Sequence, residues 1–489
     1  MRSKPIFDSG ATKAAHPASG NQARKLSQAA FGVLLVAVIW APWPLGSNRT
    51  WALALLGGLV WLGVLLASAG HLYASGRSRR PLVSGWYWPV LALAAFALLL
   101  VAQIWPGLAG GDGTLSVSPF DTRQYLFASL TFSGGWVLVL MCVNSAKRIE
   151  RLMAAVFAAG LLQAVTAIAL AYSGARYQLW LTDFAPDGRA TGTFASPDHL
   201  AGYMELTLAA GLGWLLMQFQ GDAEPSNANW QSRLSTALRF ILSPKMLLRL
   251  LLLLLVIALV MTHSRMGNGA FFFTLLLVGV VLAISSQRLR KPAMWLVASM
   301  VVIDVFIIGQ LVGLDRVVQR LQDTASASMP AEAVFGSGAL PPPKREESIQ
   351  ERLRVPELSL PLVAQRPWLG HGGGTYAFVL PPLKEQGMTW FWTNAHNDYV
   401  EVAVNTGLVG LALWLLPGLL TMWRAMRHLP DRQTSLGRGV GLAALIAISC
   451  MALHSIVDFN MHIPANAFTF SVLLALVWTV GSPTSTPRA

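Results

Sequence analysis

Long apolar runs, separated by short polar segments, dominate this chain from residue 27 onward. A helix needs about 20 mostly apolar residues to cross a bilayer, because each residue rises about 1.5 Å through roughly 30 Å of hydrocarbon. By that measure the sequence predicts about 12 spans, at 27–46, 51–70, 86–107, 126–145, 149–172, 199–219, 246–263, 268–286, 292–313, 397–423, 439–459 and 463–481. The runs are too long, and too little alternating, for strands of a membrane barrel. The expected fold is therefore all-α, a polytopic transmembrane bundle with one large outer loop at 314–396. The expected organisation is a tail at 1–26, a membrane domain at 27–313, the loop, a second membrane segment at 397–482 and a tail at 483–489. Within the loop, 324–343 is rich in Ser, Ala, Pro and Gly and reads as mobile, and 346–365 reads as a helix.

Composition agrees: 54% of the 489 residues are hydrophobic and 12% are charged, against about 25% charged in soluble domains. The net charge of +13 does not indicate nucleic acid. Its Lys and Arg lie in short clusters in alternate connecting segments: Arg77, Arg79 and Arg80; Lys147, Arg148 and Arg151; Arg288, Arg290 and Lys291; Arg424, Arg427, Arg432 and Arg438. Positive charge marks the cytoplasmic side, so both termini are expected there, in the inner membrane of a bacterium. A polar stretch of about 25 residues before the first run argues against a cleavable signal peptide. Cys142 and Cys450 both lie in apolar runs and make neither a disulfide framework nor a metal site.

Four polar clusters fall at the outer ends of spans: Arg189 to His199, Thr262 to Arg265, Asn394 to Glu401, and His454 to His462. Charged groups near hydrocarbon cost several kcal/mol unless paired or wetted, so their placement on one membrane face suggests a shared polar cavity. Each has a plainer reading. Arg189 is compatible with an ordinary loop arginine, Arg265 with snorkelling to headgroups, and His396 with a helix cap. Asn397 and Glu401 suit ordering of a helix start. Trp390, Phe391 and Trp392 suit an interfacial belt, and Asp304 suits pairing inside the bundle.

Taken together, the clusters suit glycosyl transfer from a polyprenyl diphosphate. The departing diphosphate needs positive charge, which Arg189 and Arg265 can supply through bidentate contacts. The acceptor hydroxyl needs a base, and His396 is the natural choice. Asp398 or Glu401 would set its tautomer. Asn397, Tyr399, Arg352, His454 and Asp458 are expected to support the site.

At these residues the chain resembles the O-antigen ligase and O-antigen polymerase superfamily. Pro367-Trp-Leu-Gly370-His-Gly372, His396-Asn-Asp-Tyr-Val-Glu401 and Asn405-Thr-Gly-Leu-Val-Gly410 resemble its P-x-x-G-x-G, H-N-x-x-L/V-E and G-x-x-G elements. Arg189-Ala-Thr-Gly-Thr-Phe194 resembles R-x-x-G-T-F, and Ser264-Arg265 its S-R turn. The ending His454 to Pro464 looks like that of exopolysaccharide-associated, polymerase-like members. The resemblance covers about 185–470 and implies metal-independent, inverting transfer of a glycan from undecaprenyl diphosphate without a cofactor. It implies His396 as the essential histidine, and Arg189 and Arg265 as the diphosphate-binding arginines. Asp198 stands where the family commonly has Asn, an acidic group that would weaken an all-positive site if it faced the cavity. Acceptors compatible with the pattern are lipid A-core, a growing lipid-linked glycan or a protein hydroxyl; membrane lipids complete the expected partners. A transporter or flippase of lipid-linked glycans is the rival reading. It would show two related halves with ionisable residues near the midplane, and no internal repeat is visible. A metal-dependent transferase would want convergent outer carboxylates, and Asp112 and Asp121 are isolated.

Overall fold

The computed structural model describes residues 17–74, 84–108, 110–111, 113–173, 188–218, 244–285, 349–383, 393–430 and 434–481, with isolated positions at 287, 290, 294 and 298. Most of the expected span at 292–313, including Asp304, the stretch 324–343, most of the connector 220–245 and the aromatic run 390–392 lie outside the described residues. The described residues form thirteen α-helices and no strand. They are α1 (Pro17–Trp40), α2 (Thr50–Tyr73), α3 (Tyr87–Ile104), α4 (Pro119–Cys142), α5 (Ala146–Ser173), α6 (Pro197–Met217), α7 (Pro244–Met261), α8 (Arg265–Ser285), α9 (Ile349–Gln365), α10 (Tyr376–Val379), α11 (Asp398–Met426), α12 (Ser435–His454) and α13 (Pro464–Val477). Nine of the described helices are long and apolar enough to cross a membrane, and the apolar segments Met246–Met261 and Pro464–Val477 are shorter. The protein is a polytopic helical bundle.

Several ends differ from the expected ones, for local reasons. Helix α4 begins at Pro119 rather than near 126, because proline suits the first turn, where no N–H partner is needed. Helix α12 stops at His454 rather than 459, and the chain then turns through a 3-10 segment, Asn460–His462, before Pro464 starts α13.

Helix α6 is the axis of the bundle, with 89% of its apolar window buried. It packs against α5, α7, α8, α12 and α13. Small residues permit the close approach: a Cβ on Gly213 would lie 2.4 Å from the Gly439 carbonyl oxygen on α12, and one on Gly160 would meet Thr207 at 2.5 Å.

Helix α11 is broken where the sequence suggests continuity. Gly407 takes φ 69° and ψ −176°, a region open essentially to glycine alone. The break frees backbone groups that need partners inside a membrane protein, and the segment 366–374 supplies them. The Leu408 and Val409 amides donate to the carbonyls of Pro367 (2.7 Å) and Trp368 (3.3 Å). Carbonyls of Val404 and Asn405 accept from the amides of His371 (3.0 Å) and Gly372 (2.9 Å). Gln103 of α3 joins the two, its Nε2 donating to Asn405 O (2.9 Å) and Leu369 O (2.6 Å), while its Oε1 accepts from Gly373 N (3.0 Å). The glycine-rich motif is thus a backbone splice that fixes the upper part of α11.

Candidate functional site

The segment before α6 is anchored on three sides. Ala190 N donates to Met261 O (2.8 Å), Thr193 N to Gln163 Oε1 (3.1 Å), and Thr193 Oγ1 to Pro42 O (2.8 Å). Gly192, at φ 55°, makes the turn. Arg189 is thereby placed over the α7–α8 turn, where its Nε donates to Thr262 O (2.8 Å). Its terminal NH2 meets Asp198 Oδ1 at 2.9 Å.

Asp198 lies in the first turn of α6, behind the capping Ser196. Its second oxygen, Oδ2, accepts from Arg352 of α9 at 2.9 Å, and Ser264 of the α7–α8 turn also hydrogen-bonds this carboxylate. One carboxylate therefore joins the segment before α6, the α7–α8 turn and the helix in the large loop. The acidic residue faces the site, but two guanidiniums hold it, so positive charge remains in excess around it. Arg265 follows Ser264 directly as the first residue of α8 and is exposed. Within α9, Arg354 pairs with Glu357 (3.1 Å).

His396 approaches from the turn before α11, with φ at +50°. Its ring stands edge-on to Phe459, centroids 5.0 Å apart, and His199 of α6 meets the same phenyl ring at 4.8 Å. Burial and the Arg352 guanidinium, then His199, push the His396 pKa down to about 3, against an opposing pull from Asp198. The imidazole is neutral at ordinary pH. The structure thus brings Arg189, Asp198, Arg352 and His396 into one neighbourhood, with the Ser264–Arg265 turn at its edge.

Asp398 and Glu401 direct their oxygens elsewhere than the sequence suggests. Asp398 Oδ1 lies 2.6 Å from His462 Nδ1, and Oδ2 accepts from Ser455 Oγ (2.6 Å) and Met461 N (3.1 Å). Glu401 accepts from Asn394 Nδ2 (3.0 Å) and Ala395 N (2.8 Å), and its Oε1 stands 3.3 Å from His462 Nε2. Asn397 caps α11 by accepting from Val400 N (3.0 Å) and donates to Ile456 O (2.8 Å). Tyr399 donates to Ala452 O (2.7 Å), bracing α11 against α12.

Below this layer, His454 Nδ1 meets Glu205 of α6 at 3.0 Å, and its Nε2 stands 3.7 Å from Asp458. Asp458 accepts from Phe459 N (2.9 Å) and Asn460 Nδ2 (3.3 Å). Burial and the Asp198 charge raise the Asp458 pKa to about 6. Residues that sequence reasoning passed over are Glu205, His199, Phe459 and the specific part played by His462. Glu205 carried a signal, an acidic residue inside an apolar run; Phe459 carried none.

Residues 250–415 match a family model described as O-Antigen ligase. No curated protein matches the chain. The matched stretch runs from α7 into α11 and holds Arg265, Arg352 and His396, though not Arg189. Over that stretch the chain resembles the O-antigen ligase and polymerase-like superfamily.

Proposed function

We propose that this protein transfers a glycan from a polyprenyl diphosphate, undecaprenyl diphosphate by family resemblance, to a hydroxyl acceptor on the non-cytoplasmic face of the inner membrane. The observation that carries the reading is the Arg189–Asp198–Arg352 bridge beside a neutral, half-buried His396. The acceptor oxygen attacks the anomeric carbon from the face opposite the diphosphate and inverts it. His396 takes the hydroxyl proton as the new C–O bond forms. The old C–O bond breaks towards the diphosphate, and arginine charge meets the negative charge developing there. Arg189 and Arg265 are the principal clamp, since a guanidinium fork matches phosphate oxygens in pairs. Asp198 holds Arg189 and Arg352 in register before the donor arrives.

Arginine charge does here what a divalent ion does in other transferases, so the reaction proceeds without metal. Topology supports the outward-facing site: the basic clusters at Lys147–Arg151 and Arg424–Arg438 lie on segments that alternate with those carrying the four polar clusters. The test is transfer by purified, reconstituted protein given a lipid-linked oligosaccharide and separate acceptors: lipid A-core, a second lipid-linked glycan and a hydroxyl-bearing peptide. Products are read by mass spectrometry with excess EDTA. Product with one of the three in EDTA is expected; dependence on a divalent ion, or no transfer to any of them, contradicts the reading.

A further inference from the structure

The turn that presents His396 holds a left-handed backbone, φ +50°, that non-glycine residues seldom adopt. Such a conformation persists only where the surroundings over-determine it. Here every neighbour of His396 is tied down. Asn394 and Ala395 are bonded to Glu401 at 3.0 and 2.8 Å. On the other side, the Asn397 amide donates to Ile456 O at 2.8 Å and Asp398 N donates to Ser455 O at 3.0 Å. The Asp398 carboxylate adds Ser455 Oγ at 2.6 Å and Met461 N at 3.1 Å. Two carboxylates therefore staple the turn, Glu401 to the start of α11 and Asp398 to the segment between α12 and α13.

Those carboxylates are almost fully buried, with side-chain exposures of 0% for Asp398 and 3% for Glu401. They lie three residues apart on one helical face, where like charges repel. Two uncompensated buried anions are costly and would loosen the bonds they make. The imidazole of His462 lies between them, 2.6 Å from Asp398 and 3.3 Å from Glu401.

We propose that His462, as an imidazolium, is a positioning residue for His396: by neutralising Asp398 and Glu401 together it locks the turn that aims the base. The proposal rests on the reading of His396 as that base. Burial opposes the charge on His462, but the Glu401 charge and the Asp398 hydrogen bond outweigh it and carry the pKa up to about 9. Besides the two carboxylates of α11, the aromatic ring of Tyr125 on α4 faces the imidazole, centroids 6.0 Å apart. A raised pKa means that the lock is present below about 9 and is lost as pH rises through it.

The test compares wild type, His462→Gln, the pair His462→Gln with Glu401→Gln, and His396→Ala in the reconstituted transfer assay across pH. His462→Gln is expected to lower kcat on the order of 10–100-fold, as a misplaced base does, with donor KM within about twofold. Removing one carboxylate charge as well should recover part of kcat, and neither variant should keep the alkaline fall of the wild type. Should His462→Gln fail to fold, the wild type still decides: kcat must fall through pH about 9. A kcat flat to about pH 10, or wild-type kcat in His462→Gln, overturns the proposal. If His396→Ala turns over normally, the reading of His396 fails and takes this role with it. An inactive His396→Ala beside an unaffected His462→Gln overturns the role of His462 alone.

Discussion

A half-buried imidazole beside a guanidinium does not keep a proton, and His396 is in that position, its pKa pushed down to about 3 by desolvation and Arg352. The neutral form is the one that the proposed general base requires. Under the proposed reaction, a bound diphosphate would add negative charge near Arg352 and raise the basicity of His396. The consequence for pH is definite in sign. A depressed pKa keeps the base neutral well below the ordinary imidazole range, so kcat/KM, which reports the free enzyme, should stay level from pH 7 down to about 5. An acid limb centred near 6.5 would show that His396 is not electrostatically suppressed. Arg189, Arg265 and His396 were legible in the sequence as polar residues at span ends, and Arg352 as a supporting residue in the helix expected at 346–365. Their pairing was not. Arg352 and Asp198 are 154 positions apart in the chain, and nothing local in the sequence indicates that one carboxylate bridges two guanidiniums. Nor does it indicate that Asp398 and Glu401 serve His462, because Asp398 is two residues from His396 and His462 is sixty-four from Asp398.

The break in α11 is the element on which the site turns, since the four residues before α11 and its first turn carry His396 and its anchors. The sequence predicts one continuous helix at 397–423, because the apolar run has no proline before Pro417 to interrupt it. What the run conceals is Gly407, whose backbone is non-helical and whose freed amides and carbonyls are met by 367–372. The P-x-x-G-x-G element thus has a physical meaning apart from catalysis. A Cβ on Gly370 would come within 2.5 Å of the Asn405 carbonyl, and one on Gly407 within 2.3 Å of the Trp368 carbonyl. Gly407→Ala should therefore lose roughly 1–3 kcal/mol from backbone strain alone, seen as a lower Tm in detergent. Gly418→Ala, on the same helix with nothing within 4 Å of the added Cβ, should be neutral or slightly stabilising. Equal Tm values for the two variants would mean that the splice does not hold the helix.

Across the whole molecule, the apolar runs were enough to give a helical membrane bundle, because span length follows from bilayer thickness. They did not give the arrangement, in which α6 is central and the site forms where its first turn meets the segment before it, α9, the turn before α11, and the residues between α12 and α13. That convergence depends on packing among helices far apart in the chain, such as the Gly213–Gly439 contact, and apolar periodicity is blind to it. In the proposed reaction the two tasks of the site are also separate: arginines from several elements hold the donor, and one histidine takes the proton. The separation is testable in a single variant. Donor binding and single-turnover transfer should be measured for His396→Ala in lipid bilayers beside wild type. Donor affinity should hold within about twofold while transfer falls by roughly 10²–10⁴-fold, the range of a lost general base. Transfer at near wild-type rate would contradict the account.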